Sequence, residues 1–177
     1  MTTATQTETR TTHVYRVYIR ATQQRIWDAI TKTEFTERYG YAAPVQFDLR
    51  PGGRATSTSS EAMKAAGREM GFETPDLIVD GEVVECDPPR KLVQTWRMLM
   101  DPTTAAEPYT TLTYEITEDG GPGVCKLTVT HDVTGAPATE HMITGALEDQ
   151  TGQGGGGWAW VLSDLKTLLE TGNAFNG

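Results

Sequence analysis

A chain of 177 residues with 37% hydrophobic and 22% charged residues has enough apolar material for the core of one globular domain. Its net charge of -9 at pH 7 argues against nucleic acid as a partner, because an acidic surface repels phosphates. Residues 1–12 lack the apolar core of a signal peptide, and no apolar run approaches the about 20 residues of a membrane span.

The domain organisation is predicted to be simple. We expect a disordered tail at 1–12, rich in threonine and charge, a single domain at 13–172 and a short tail at 173–177. Cys86 and Cys125 lie in strand-like segments, outside any metal-binding spacing. We therefore expect two reduced thiols in a cytoplasmic protein, with no metal and no cofactor.

The first elements are a strand and two short helices. Hydrophobic and basic residues alternate over 13–20, which predicts a half-buried strand. Thr22 then caps a helix, and a second short helix ends near Gly40, with Pro44 closing it.

The middle of the chain reads as strands. Residues 45–59 predict a hairpin that turns at Pro51, Gly52 and Gly53, and 59–75 predict a long inserted loop, partly helical. Residues 77–100 predict two strands joined by a tight turn, and 109–133 predict a further hairpin. Residues 134–157 predict a loop with one pair of helical turns.

The last element is a long helix over 158–170. Its apolar residues recur at spacings of three, four and seven, and Gly172 is a natural end. Strands grouped between helices predict an α+β fold in which this helix crosses the concave face of a twisted antiparallel sheet. One helix does not fill such a sheet, so we expect a ligand cavity between them.

Several segments, taken in order, resemble the START-like superfamily, also called SRPBCC. They are "VYIRATQQRIWDAITKTE", "FDLRPGGR", "GEVVECDPPRKLVQTW", "LTVTH" and "GWAWVLSDLKTLLETG". The chain is most similar to the branch named after the C-terminal domain of activators of the ninety-kilodalton heat-shock chaperone ATPase. This resemblance implies a helix-grip fold, with six or seven strands around the C-terminal helix.

The resemblance leaves function open, because similar proteins carry ligands, cyclise polyketides or activate chaperones. Two features depart from the pattern, namely the longer insertion at Ser59 to Pro75 and the glycine run at 154–157. We expect the glycines to keep the cavity mouth open and mobile, as a gate; a plain flexible connector is the alternative.

The predicted ligand site lies between the sheet and the last helix. Its lining residues are Phe47, Trp96, Met98, Tyr114, His131, Trp158 and Leu162. The alternative is that these side chains are plain core. His131 and Tyr114 are the polar groups expected to orient a ligand, since each combines a ring with a polar atom. The sequence predicts no catalytic residue and no metal ligand.

These observations predict a binding protein for a small hydrophobic or aromatic molecule. One alternative is a cyclase or aromatase enzyme that uses the same cavity, for which His131 is the candidate. Another is a chaperone co-factor with a role in stress response, which the resemblance alone suggests. Trp160 lies on a polar helix face beside Asp164, so it marks either a homodimer or partner contact or packing under the inserted loop.

Overall fold

The computed structural model describes residues 9–146 and 156–176. The described residues form eight strands and six helices. They are β1 Thr12–Ile19, α1 Gln23–Thr31, α2 Thr33–Thr36, β2 Val45–Phe47, β3 Ala55–Thr58, α3 Glu61–Glu69, β4 Leu77–Asp80, β5 Val83–Asp87, β6 Lys91–Met98, α4 Pro102–Ala105, β7 Thr110–Thr117, β8 Cys125–Asp132, α5 Pro137–Ile143 and α6 Gly157–Thr171.

The strands pair antiparallel in the order β1-β8-β7-β6-β4-β3-β2. β6 is shared, since its first half pairs with β5 and its end pairs with β4. This arrangement confirms the predicted α+β fold, with a curved antiparallel sheet, two short helices after the first strand and a long C-terminal helix. Gly172 ends α6 with a φ of 84°, as predicted.

The prediction of two strands over 77–100 is wrong, because the first of them divides into β4 and β5 at Gly81. A side chain at this glycine would place its Cβ 1.9 Å from the carbonyl oxygen of Thr95. This close backbone contact lies where the chain stops pairing with the end of β6, through β4, and starts pairing with its first half, through β5. The sheet therefore has one strand more than the sequence pattern predicted.

The inserted segment is partly helical, as predicted, because it contains α3. Ser60 accepts a hydrogen bond from the Met63 amide at 3.2 Å and caps the helix. Helix α3 continues through Gly67. A glycine is needed at this position because a Cβ would come within 2.3 Å of Thr74 Oγ1. The glycine that argued against a helix thus allows the following chain to pack on it.

The segment predicted as loop with a pair of helical turns contains one short helix, α5. The Glu107 carboxylate lies at its first turn and accepts hydrogen bonds from the amides of Ala138, at 2.6 Å, and Thr139, at 2.9 Å. A carboxylate from another part of the chain supplies the cap that the local sequence lacks.

The core lies between the inner face of the sheet and helices α1 and α6. Its fully buried members come from the sheet, from α1 and from α6. They are Ile19, Ile26, Val83, Leu92, Leu112, Ile116, Leu127, Val129 and Leu165. Helix α6 packs closest to β1, at one edge of the sheet. Among the described residues, no helix has the length and apolar character needed to cross a membrane.

Candidate functional site

The candidate site is built on the inner face of β6, β7 and β8. Side chains alternate between faces along a strand, so Gln94 and Trp96 of β6 share the inner face. The register places Gln94 opposite Leu112, and Leu112 opposite His131. Trp96 lies opposite Thr110. The first turn of α6 brings Trp158 against this surface, in hydrogen-bond contact with His131.

A chain of hydrogen bonds connects α6 to the sheet. Trp158 Nε1 donates to His131 Nδ1 at 3.2 Å, and His131 Nε2 lies 2.8 Å from Thr110 Oγ1. Thr110 Oγ1 donates its proton to the carbonyl oxygen of Trp96 at 2.8 Å. Since that hydroxyl proton is already used, His131 must donate from Nε2. The assigned state is therefore the neutral Nε2–H tautomer.

Burial favours the same neutral state. His131 is fully buried, and desolvation lowers its pKa from 6.5 to about 4. His13 on the neighbouring strand adds to this lowering of the pKa, while Asp132 opposes it. Both ring nitrogens are thus engaged within the protein, and His131 stays uncharged at neutral pH.

Aromatic rings surround this histidine. Trp96 meets His131 edge to face, with centroids 5.3 Å apart, and Tyr114 meets Trp158 in the same way at 6.0 Å. Burial and the nearby Tyr39 raise the pKa of the Tyr114 phenol above its ordinary value. The phenol therefore keeps its proton and can donate a hydrogen bond. We call Trp96, Tyr114, His131 and Trp158 the aromatic cluster.

The structure brings together four of the seven residues predicted to line the site. The other three lie outside the aromatic cluster. Leu162, one turn along α6 from Trp158, is buried in the core. Phe47 packs against the core from β2, at the far edge of the sheet, and Met98 ends β6 opposite Val79.

Two residues of the site were missed by sequence reasoning, Thr110 and Gln94. Gln94 is 4% exposed, and its Oε1 has no hydrogen-bond partner among the described residues. The signal was its inward position between Leu92 and Trp96 in a strand. Thr110 gave no signal, because its role depends on a histidine 21 residues away.

Trp160 lies outside this site. Its ring stacks on Tyr41, with centroids 5.0 Å apart, and meets Phe175 edge to face at 5.8 Å. Neither of these partners belongs to the insertion at 59–75. Asp164 is fully buried and accepts from the amides of Gly40 and Phe175, so the predicted polar face at this position is wrong.

The last two glycines of the run have a steric explanation. A Cβ on Gly156 would lie 2.3 Å from the Cβ of Trp160. Gly157 has a φ of +60°, and its Cβ would lie 2.3 Å from the carbonyl oxygen of Ile143. Gly154 and Gly155 lie outside the described residues, so the predicted gate remains a prediction.

Two pockets of about 490 and 480 Å³ lie elsewhere on the described surface. Residues between 64 and 76 line the first pocket. The second is lined by Arg54, Asp80, Gly81, Glu82, Thr95 and Tyr109. The predicted cavity between sheet and helix remains an expectation. Within 9–146 and 156–176, no group of three or more His, Cys, Asp or Glu is arranged to hold a metal ion.

Comparison with known proteins identifies the family and the fold. Residues 20–170 match the family described as "Activator of Hsp90 ATPase homolog 1-like protein". No curated protein sequence matches the chain.

Solved structures show the same fold at low sequence identity. The solution structure of CalU16 from Micromonospora echinospora has a TM-score of 0.60 at 17% identity, over 94% of this chain and 69% of that one. An Hsp90 activator from Plasmodium falciparum gives 0.59 at 16%, over 89% and 95%. The Aha1 dimer from Colwellia psychrerythraea gives 0.59 at 16%, over 92% and 98%. These structures support the START-like fold predicted from the sequence.

Proposed function

This chain belongs to the Activator of Hsp90 ATPase homolog 1-like family, and we propose that it is a binding protein for a small hydrophobic or aromatic molecule. The ligand would lie between the inner face of the sheet and the first turns of α6. One observation carries this proposal. Five inner-surface side chains are only half-buried, although they face the core side: Phe47, Trp96, Met98, Tyr114 and Trp158.

Half-buried aromatic surface on the inner side of a sheet is a favourable wall for an apolar ligand. Covering about 200 Å² of apolar surface contributes about 5 kcal/mol, before the costs of association. The protonated Tyr114 phenol is available to donate a hydrogen bond. His131 acts here as a positioning residue, because its two nitrogens hold the Trp158 indole and the Thr110 hydroxyl.

The same hydrogen bonds favour binding over catalysis. A cyclase or aromatase needs a polar group that can exchange a proton with its substrate. His131, the candidate for that role, has a strongly lowered pKa but no free ring nitrogen. To act as an acid or base it would first have to release Trp158 or Thr110.

The proposal is tested by titrating lipids, flavonoids and polyketide-like aromatics into ¹⁵N-labelled protein. The four tryptophans supply an internal control, since each gives one indole N–H signal. We expect the signals of Trp96 and Trp158 to shift, while those of Trp27, in the core, and Trp160, outside the site, stay in place. If every compound leaves Trp96 and Trp158 unmoved, the proposal is wrong.

A second candidate function is that of a chaperone co-factor, which the family match over 20–170 favours. It is tested by adding the protein to purified ninety-kilodalton heat-shock chaperone and measuring ATP hydrolysis. Stimulation that survives Trp96→Ala but not Trp160→Ala would favour a protein contact through Trp160. Light scattering on the same two variants tests the predicted homodimer. A cytoplasmic location and a role in stress response remain predictions of the same kind.

A further inference from the structure

Gln94 is a polar side chain in an apolar part of the sheet. It lies on the inner face of β6, and its cross-strand neighbours Leu112 and Val83 are fully buried. Leu92, two residues before it on the same face, is also fully buried. Its neighbour on the other side along the strand, Trp96, lies about 7 Å away on the same face and is only half-buried.

The side-chain amide oxygen of Gln94 differs from every other buried side-chain polar atom of the described residues. It is the one buried side-chain nitrogen or oxygen atom there that has no hydrogen-bond partner. Other buried polar side chains are satisfied: His131 in the same site by Trp158 and Thr110, and Asp164 elsewhere on α6 by two backbone amides. A buried acceptor without a donor is costly, so native proteins seldom keep one without a reason.

Building on the proposed function, we propose that Gln94 Oε1 is the acceptor that selects the ligand. The ligand is then a small aromatic molecule with a hydroxyl or N–H donor on its ring. Its ring lies against Trp96, and its donor meets Gln94 Oε1 at the deep end of the site. An ether or hydrocarbon of the same shape leaves the oxygen unpaired and is rejected.

The placement agrees with the aromatic cluster. His131 lies two strands from Gln94, about 10 Å away, across Leu112. A ligand of one or two fused rings reaches from Gln94 along Trp96 towards the aromatic cluster. The Tyr114 phenol, which keeps its proton, is left to meet an acceptor on the same ligand.

The test compares two probes that differ in one donor, 2-naphthol and 2-methoxynaphthalene. Binding is followed by calorimetry and by the side-chain NH₂ signals of Gln94. For the wild-type protein, we expect 2-naphthol to bind about tenfold more tightly, and to shift the Gln94 signals more, than 2-methoxynaphthalene. Gln94→Met removes the acceptor and keeps the side-chain length, so we expect it to bind both probes equally.

Gln46→Met is the matched control, since Gln46 is exposed on β2. It should keep the wild-type preference. Equal affinities of the wild-type protein for the two probes, or a preference that survives Gln94→Met, would overturn this inference and leave the proposed function standing. If neither probe at millimolar concentration moves the signals of Trp96 or Trp158 while a lipid or flavonoid does, the inference fails and the proposed function stands; if no compound moves them, both fail. The wild-type comparison needs no variant and decides the question even if Gln94→Met does not fold.

Discussion

Trp158, in the first turn of α6, donates its indole N–H to His131 Nδ1, near the C-terminal end of β8, across 3.2 Å. This bond joins the residue that follows the glycine run to a fully buried histidine. It orients the indole edge on to Tyr114 and leaves His131 one proton, on Nε2. The position of α6 over the sheet therefore depends on a polar contact as well as on apolar packing.

Trp158→Phe should destabilise the protein by about 1–3 kcal/mol, because it leaves the buried Nδ1 of His131 without a donor. The free energy of unfolding in urea measures the change. Trp160→Phe is the control, since Trp160 lies outside the site and contacts Tyr41 and Phe175 through its ring. Equal losses for the two variants would show that the indole contributes through its size rather than through the hydrogen bond.

The stability of the protein should fall between pH 6.5 and pH 4, because His131 accepts a proton in the unfolded chain more readily than in the folded one. The folded pKa of about 4 lies below the ordinary 6.5, so in this window the unfolded chain binds a proton that the folded chain does not. The contribution is complete above pH 6.5. By pH 4.5 its loss amounts to about 2–3 kcal/mol.

Urea unfolding at pH 7.5 and pH 4.5 measures this effect, and His131→Asn supplies the reference. Carboxylates also titrate in this range, so the quantity of interest is the difference between the two proteins. The wild-type protein should lose more stability than the variant on acidification. Parallel losses would mean that His131 is not the group responsible.

Gln94→Met should raise the melting temperature by about 2–4 °C, because a methionine of similar length removes an unpaired acceptor from apolar surroundings. Scanning calorimetry measures the shift. Gln46→Met at its exposed position should change stability by less than about 0.5 kcal/mol. A lower melting temperature for Gln94→Met would reveal a partner of Oε1 in solution, such as a buried water. It would thereby remove the basis of the proposed ligand selection.

The inner face of the sheet could be predicted because a strand has a period of two. Alternation alone placed Leu112, Tyr114 and His131 on one side of the β7–β8 hairpin, and the structure agrees. The apolar spacing of the last helix placed Leu162 and Leu165 on the face towards the sheet by the same kind of argument, and both are buried in the core there. These predictions need only local periodicity.

The polar contacts could not be predicted in this way, because their partners are distant in the chain. The helix pattern predicts Asp164 on a polar face, yet this side chain is fully buried. There it accepts a hydrogen bond from the amide of Gly40, 124 residues earlier in the chain. The strand pattern marks Gln94 as an inward polar residue, but that its oxygen has no partner is known only once its neighbours on three strands are known. The extent of helix α3 could not be predicted because Gly67 lowers helix propensity, and its packing against Thr74 is a tertiary effect.

Asp164→Asn should destabilise the protein by about 1–3 kcal/mol. Its two carboxylate oxygens accept from Gly40 N at 2.8 Å and from Phe175 N at 2.7 Å, whereas asparagine offers one acceptor and turns an N–H₂ towards the other amide. Urea unfolding and hydrogen exchange at the two amides measure the effect. Asp119→Asn, at an exposed ion pair with Lys126, should cost less than about 1 kcal/mol. Unchanged exchange at both amides in Asp164→Asn would contradict the assigned hydrogen bonds.

Gly157→Ala should be among the most damaging small substitutions in the chain, and it tests why the last helix begins in glycine. A φ of +60° costs a non-glycine residue about 1–2 kcal/mol, and the contact of its Cβ with the Ile143 carbonyl at 2.3 Å adds about 1–3 kcal/mol. Gly121→Ala separates the two terms, because Gly121 also has a positive φ, +99°, but has open space around its Cβ. Urea unfolding should therefore show a larger loss for Gly157→Ala than for Gly121→Ala. Equal losses would mean that α5 and α6 can separate at this point without cost, and the glycine would then serve backbone freedom rather than the close approach of the two helices.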